Sequence, residues 1–217
     1  MKKRRLWCWI VAMGAMLLLA ALFLVFYNLY EDKKSGRVSE AILTELKQEI
    51  MENSVSTTET ENSRPINDLY VEYENETKTE PNTDPSLEID DSVYVGIISI
   101  PELGLELPVI RDWSYPNLRI APCVYSGAAA SNDLIIAAHN YKSHFGNLSY
   151  LYSGSPIRFT DVCGKVYDYE VVQIDTIGGY DVPSMHDGSG KSWNLTLFTC
   201  TLGGRSRVSV RAARIDK

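Results

Sequence analysis

The chain has 217 residues, 45% of them hydrophobic and 23% charged, with a formal net charge of −7. That length permits one membrane segment and one domain of ordinary size, and two full domains would be crowded. The acidity is local: residues 1–30 carry four basic and no acidic groups, residues 31–92 carry 17 acidic and 6 basic, and residues 93–217 carry 11 of each, which leaves no basic stripe and excludes nucleic acid as a partner.

Leu6 to Tyr27 is a run of 22 residues without a charge. As a helix at about 1.5 Å per residue it reaches roughly 33 Å, enough to cross a bilayer. A secretory signal peptide is the competing reading, but its apolar stretch is shorter, about 7–15 residues, and no small-x-small cleavage site follows here. An uncleaved signal anchor is preferred, making residues 1–30 a basic tip and a single membrane span. Lys2, Lys3, Arg4 and Arg5 hold the N-terminus in the cytoplasm, against a modest counter-bias from Lys33, Lys34 and Arg37, and the rest of the chain is expected outside the cell. Trp7, Trp9, Tyr27 and Tyr30 are placed as interfacial aromatics.

Residues 31–92 read as an acidic stalk, rich in Glu, Asn, Thr and Ser and too poor in apolar groups to build a core. Val38, Ile42, Leu46 and Ile50 recur every four residues, which predicts one amphipathic helix lying on the membrane or against a second copy. Beyond Met51 the stalk is expected to be disordered as far as Ser92, extended by repulsion among its carboxylates.

From residue 93 onward the pattern is one of short strands: Tyr94–Ile100, Leu105–Ile110, Leu134–Ala138, Ile157–Thr160, Val166–Thr176, Leu195–Cys200 and Arg207–Ile215. Short helices are predicted at Ser114–Ile120 and Asn147–Tyr152. Many short strands separated by turn signals make the domain mainly β, a closed barrel or a sandwich.

The cysteines are Cys8, Cys123, Cys163 and Cys200. Cys8 lies in the membrane segment, and nothing in the sequence brings Cys123 beside Cys163, so separate thiols are expected. With no pair of Cys-x-x-Cys motifs and no His-x-x-x-His, neither a metal nor another cofactor is expected.

Cys200 ends the strand Leu195-Thr196-Leu197-Phe198-Thr199-Cys200, and strand ends hold side chains more rigidly than loops. A free cysteine in such a segment is more often a small buried hydrophobe than a nucleophile. Its neighbours favour chemistry. Arg207 opens the next strand, and Thr201-Leu202-Gly203-Gly204-Arg205-Ser206 is short enough to fold the two strands into a hairpin, placing a permanent cation near the sulfur.

Thr196-Leu197-Phe198-Thr199-Cys200 with Arg207 beyond it resembles the Thr-Leu-x-Thr-Cys strand and catalytic arginine of the sortases. Leu134-Ile135-Ile136-Ala137-Ala138-His139 resembles the family's histidine closing an apolar strand, and Ile100-Pro101-Glu102-Leu103-Gly104-Leu105-Glu106-Leu107-Pro108-Val109 its opening hairpin. The resemblance covers about 93 to 215 and implies an eight-stranded barrel. It implies a catalytic set of His139, Cys200 and Arg207: a thiol protease-like hydrolase chemistry used for transpeptidation. The implied partners are secreted proteins bearing a C-terminal Leu-Pro-x-Thr-Gly-like sorting signal, and an amine acceptor from a cell-wall precursor or a pilin lysine. Lid control is not implied, because Asp84-Pro85 is followed by Ser86 rather than an aromatic residue.

Each role has a rival within the sequence. His144 and His186 compete with His139 as proton donor, and Arg205 competes with Arg207. Asn140 is a candidate to orient the imidazole, and Asp112-Trp113 reads as a turn with a packed indole. Two other functions fit the same residues less well: a cysteine peptidase or amidase hydrolysing cell-wall peptides, and a non-enzymatic surface-displayed β-domain with Cys200 merely buried.

Overall fold

The computed structural model describes residues 2–60, 84–181, 183–186 and 193–215. Among the described residues nine strands form one sheet: β1 (Leu87–Ile89), β2 (Ser92–Ile100), β3 (Leu105–Ile110), β4 (Cys123–Ser126), β5 (Leu134–Ala138), β6 (Pro156–Asp161), β7 (Val166–Gly178), β8 (Leu195–Cys200) and β9 (Ser206–Arg214). Their order is β1-β2-β3-β4-β5-β8-β9-β7-β6, and antiparallel pairing of β2 with β6 closes β2 to β9 into an eight-stranded barrel. The short β1 lies outside that closure as an added rib on β2.

Alternation along each strand sends one set of side chains inward and the other outward. The inward set is almost wholly apolar: Ile98, Val109, Leu134, Ile136, Phe159, Leu197 and Val210 fill the barrel. The outward set on the β3–β4–β5–β8 side is apolar too, with Ile110, Cys123, Ile135, Ala137 and Phe198 in a second cluster. This explains the nearly unbroken hydrophobic runs of β5 and β8, which are buried on both faces.

The second cluster needs a cover, and three elements supply it. A short helix α2 (Tyr115–Leu118) contributes Leu118; Ser114 caps it by accepting from the Asn117 N–H at 3.1 Å. A single turn α3 (Pro183–His186) contributes Met185. The largest cover is α1 (Lys2–Thr60), a helix that runs without a break from the apolar span into the expected stalk.

The lower part of α1 is long and apolar enough to cross a membrane, and its most apolar stretch is not buried against any of the described residues. The upper part docks on the barrel rather than on a membrane surface or a second copy. Asp32, Ser35, Gly36, Ser39, Ile42, Leu43, Leu46 and Ile50 form the docked face; Ile42, Leu46 and Ile50 join the second cluster. Val38, expected on this stripe, is 37% exposed. The reason is geometric: a strict four-residue repeat advances about 40° per step, so Val38 lies about 120° from Ile50 whereas Ser39 lies about 20° from it.

The expected disorder between Met51 and Ser92 falls mainly on residues 61–83, outside the described residues. Its ends are ordered: residues 51–60 continue α1, and Asp84 is buried, its carboxylate accepting the Ala129 N–H at 2.8 Å and the Ala130 N–H at 3.0 Å. The remaining boundaries fall close to those expected, with Leu105–Ile110, Leu134–Ala138 and Leu195–Cys200 unchanged; β1 and β4 were not expected.

Candidate active site

Three adjacent strands assemble the site. In the parallel pair β5–β8, Ala138 stands opposite Thr199, so the next residues, His139 and Cys200, come level at the strand ends. In the antiparallel pair β8–β9, Cys200 stands opposite Arg207. Neighbouring strands lie about 4.8 Å apart, and side chains level across them share a face. His139, Cys200 and Arg207 therefore form one row on the outer face of the barrel, with the sulfur in the middle. Thr199 locks the register of the two strands: its Oγ1 donates to the Ala138 carbonyl at 2.9 Å.

The row borders a cavity of about 250 Å³ whose other walls include Trp113, Tyr115, Leu118, Tyr125, Met185 and Phe198. Trp113 meets Tyr125 edge-on with centroids 6.2 Å apart, and Tyr125 meets Phe198 in the same way at 5.2 Å. The Trp113 indole, expected to be packed, is 42% exposed and instead forms part of the cavity wall against Tyr125. A larger groove of about 620 Å³ between α1 and β3 contains no cysteine, histidine or other nucleophile pair and is a seam of the docked helix.

Cys200 is part-exposed at this cavity. The other thiols differ: Cys123 is fully buried, its pKa pushed up to about 12 by burial, and Cys163 is exposed on the β6–β7 turn, where burial and the Asp161 carboxylate raise it. No disulfide joins them. His139 is held below its ordinary 6.5, first by burial and then by the charge of Arg119. Its imidazole is therefore neutral at neutral pH, able to accept a thiol proton. The Arg207 guanidinium donates from Nη1 to the carbonyls of Gly204 at 2.9 Å and Ser206 at 3.2 Å, while Nε and Nη2 have no partner among the described residues. Gly179 closes over it: an added Cβ there would stand 2.8 Å from the Arg205 carbonyl and 3.5 Å from Arg207 Nη1.

The rivals separate cleanly. His144 is fully buried beneath α1 and does not line the cavity. The His186 side chain lies outside the described residues. Arg205 is exposed on the hairpin turn and absent from the cavity wall. Asn140 makes no side-chain hydrogen bond to His139 among the described residues. The Thr201 N–H, a candidate donor to a developing oxyanion, is taken by the Ser206 carbonyl at 2.9 Å.

Sequence reasoning did not find Arg119 or Tyr141. The Tyr141 ring lies 4.9 Å from the His139 ring and 5.7 Å from that of His144, so it bridges the two histidines. Their loop is tight. Phe145 N–H donates to the His139 carbonyl at 3.1 Å, and a Cβ on Gly146 would stand 2.6 Å from the Asn140 carbonyl, so only glycine closes it. An aromatic two residues after a candidate catalytic histidine was the available signal.

The sortase domain model matches residues 98–215, more than half of the chain. The chain belongs to the sortase domain family. Among solved structures it is similar to sortase A from Corynebacterium diphtheriae, at 25% identity and a TM-score of 0.52, covering 58% of this chain and 62% of that one. It is similar also to sortase C1 from Streptococcus agalactiae, at 26% identity and a TM-score of 0.51, covering 60% and 72%. A Clostridium perfringens sortase D5 transpeptidase matches over 83% of this chain and 99% of its own, with a TM-score of 0.56; at 20% identity this likeness is one of fold alone. The chain thus spans less than two thirds of the Corynebacterium protein. No curated protein sequence matches it.

Proposed function

We propose that this protein is a membrane-anchored cysteine transpeptidase in which Cys200 is the nucleophile, His139 the proton shuttle and Arg207 the positioning cation. The observation that carries this reading is the row of those three side chains at one cavity, with the sulfur between an imidazole and a guanidinium. A thiolate attacks where a thiol does not, and neutral His139 accepts the thiol proton. The sulfur then attacks the carbonyl carbon of the scissile peptide. The tetrahedral oxyanion needs donors, and the unbonded N–H groups of Arg207 supply them. The protonated imidazole returns its proton to the leaving amine as the C–N bond breaks, leaving a thioester on Cys200. An incoming amine attacks that thioester, restores the thiol and forms a new amide; water in its place gives hydrolysis, the thiol-protease outcome.

The acyl donor in this reading is a secreted protein with a C-terminal Leu-Pro-x-Thr-Gly-like sorting signal, and the acceptor is an amine of a cell-wall precursor or a pilin lysine. Residues 1–30 form the cytoplasmic tip and single-pass anchor in the cell membrane, and the barrel lies outside the cell. The test is product analysis by mass spectrometry after incubation with a sorting-motif peptide and a panel of amines. The expected product is the peptide truncated after threonine and joined to an amine. Hydrolysis alone with every acceptor would replace the transpeptidase with a peptidase.

A further inference from the structure

The height of the cavity above the membrane is written into α1. The helix leaves the apolar span without interruption, and its next turns are bolted to the loop that carries His139. Asp32 Oδ1 accepts from the Ser143 N–H at 3.1 Å and from the Ser143 hydroxyl at 2.5 Å. Ser35 Oγ donates to the Arg119 carbonyl at 2.6 Å, and Ser39 Oγ donates to the Ile120 carbonyl at 2.5 Å. Gly36 lets the helix touch the loop, since a Cβ there would stand 3.0 Å from the Ser143 Cβ.

Farther up, Lys47 pairs with Glu106 at 2.7 Å and Ile50 reaches the β6–β7 turn near Gly164. Contacts at both ends of the docked stretch from Asp32 to Ile50, roughly 27 Å of helix, fix the tilt of the barrel as well as its position. Tyr141, its ring tilted against that of His139, also lies close enough to Glu31 to feel its carboxylate. Tyr27 closes the apolar span, and Glu31 is the first charge beyond it. The site therefore sits beside the first turns to emerge from the bilayer.

Asp32 is about 7.5 Å and Ser39 about 18 Å along the helix from Tyr27, at roughly 1.5 Å per residue, and a headgroup layer is about 5–8 Å thick. The geometry points to α1 as a ruler that holds the Cys200 cavity about 10–15 Å above the hydrocarbon edge. A donor anchored in the same bilayer must span that height between its membrane segment and its scissile bond, so the length of α1, and not the cavity alone, sets the spacer that the enzyme accepts. An extended chain covers that height in about three to five residues. The inference rests on the transpeptidase reading and on α1 as the membrane anchor.

The test uses the full chain reconstituted in phosphatidylglycerol/phosphatidylcholine vesicles with two donors: a soluble sorting-motif peptide, and the same motif joined to a transmembrane helix through spacers of increasing length. A seven-residue polar helical insert between Asn28 and Leu29 adds two turns, about 10 Å, while nearly preserving the helix face. A flexible Gly/Ser insert of equal length is the second variant. The helical insert is expected to leave soluble-peptide cleavage within twofold of wild type and to lengthen the optimal spacer by about three residues. The flexible insert is expected to leave soluble cleavage intact and flatten the spacer dependence. An unchanged optimum in both variants, with soluble cleavage retained, overturns the ruler. So does loss of soluble cleavage in both at unchanged melting temperature, because the span would then support the site itself. If the wild type cleaves neither donor, the transpeptidase reading fails first and the ruler with it.

Discussion

His139 and His144 lie five residues apart on one loop, touch the same tyrosine, and are both held below the ordinary histidine pKa mainly by burial. Their surroundings then diverge. His139 opens onto a cavity shared with a thiol and a guanidinium. His144 is sealed under α1, where the Ser35 and Ser39 hydroxyls already donate to backbone carbonyls, so His144 Nε2–H donates to Ser35 Oγ at 3.0 Å. Its Nδ1 is buried with no partner among the described residues, and its pKa falls to about 4. A lowered pKa therefore does not by itself mark a reactive imidazole. What marks it is access and the chemistry of the neighbour.

The comparison predicts unequal losses. Cys200→Ala and His139→Ala are expected to abolish acyl-enzyme formation, seen as loss of the thioester mass, while His144→Ala keeps most turnover below its melting temperature. Equal losses from His139→Ala and His144→Ala in folded proteins would dissolve the distinction. Arg207→Lys is expected next: a lysine offers a point charge where a guanidinium offers a planar fork, and losing an oxyanion donor costs about 2.7–4 kcal/mol, or on the order of 10²–10³ in kcat/KM. Arg205→Ala should cost far less, and the reverse order would shift the site two residues along the hairpin.

Smaller effects probe the buried histidine. Because its folded pKa lies below the unfolded 6.5, the unfolded chain binds the proton first as pH falls. Stability is thus full above pH 6.5, falls between 6.5 and about 4, and levels off below, a loss of about 3 kcal/mol in all. Melting temperature against pH should show this decline in the wild type and a flatter curve in His144→Gln. Gly36→Leu forces a side chain into Ser143 and is expected to cost about 1–3 kcal/mol in the same assay. The smallest effect belongs to Arg119→Gln. Removing an exposed cation lets the His139 pKa rise, so the acid limb of the acylation pH profile should move upward.

Most strands and the row of site residues were legible because each rests on a strong local signal, whereas closure into an eight-stranded barrel followed only from the family resemblance, since alternation fits a sandwich equally well. β8 alternates Leu195 and Leu197 inward with Thr196 and Phe198 outward, and two glycines turn the chain so that Arg207 faces Cys200. β4 was not legible: Cys123-Val124-Tyr125-Ser126 is four residues long and mixes one buried thiol with part-exposed positions. The docked face of α1 was misread because half of it is Asp32, Ser35, Gly36 and Ser39, small and polar residues that bury by hydrogen bonding to loop backbone instead of by hydrophobicity. Such a face looks like stalk until its partner is known. Asp84 was hidden for the same reason, its role being to satisfy two N–H groups 45 and 46 residues away.

The central claim is that Cys200 carries the acyl group. The direct measurement is to incubate the full chain with a sorting-motif peptide, quench with acid, digest, and map the adduct by mass spectrometry. Cys163, the more exposed thiol, serves as the internal control. The account predicts a thioester on the Cys200 peptide alone, discharged by an added amine and absent in Cys200→Ala. An adduct on Cys163, or turnover that persists in Cys200→Ala, would contradict it.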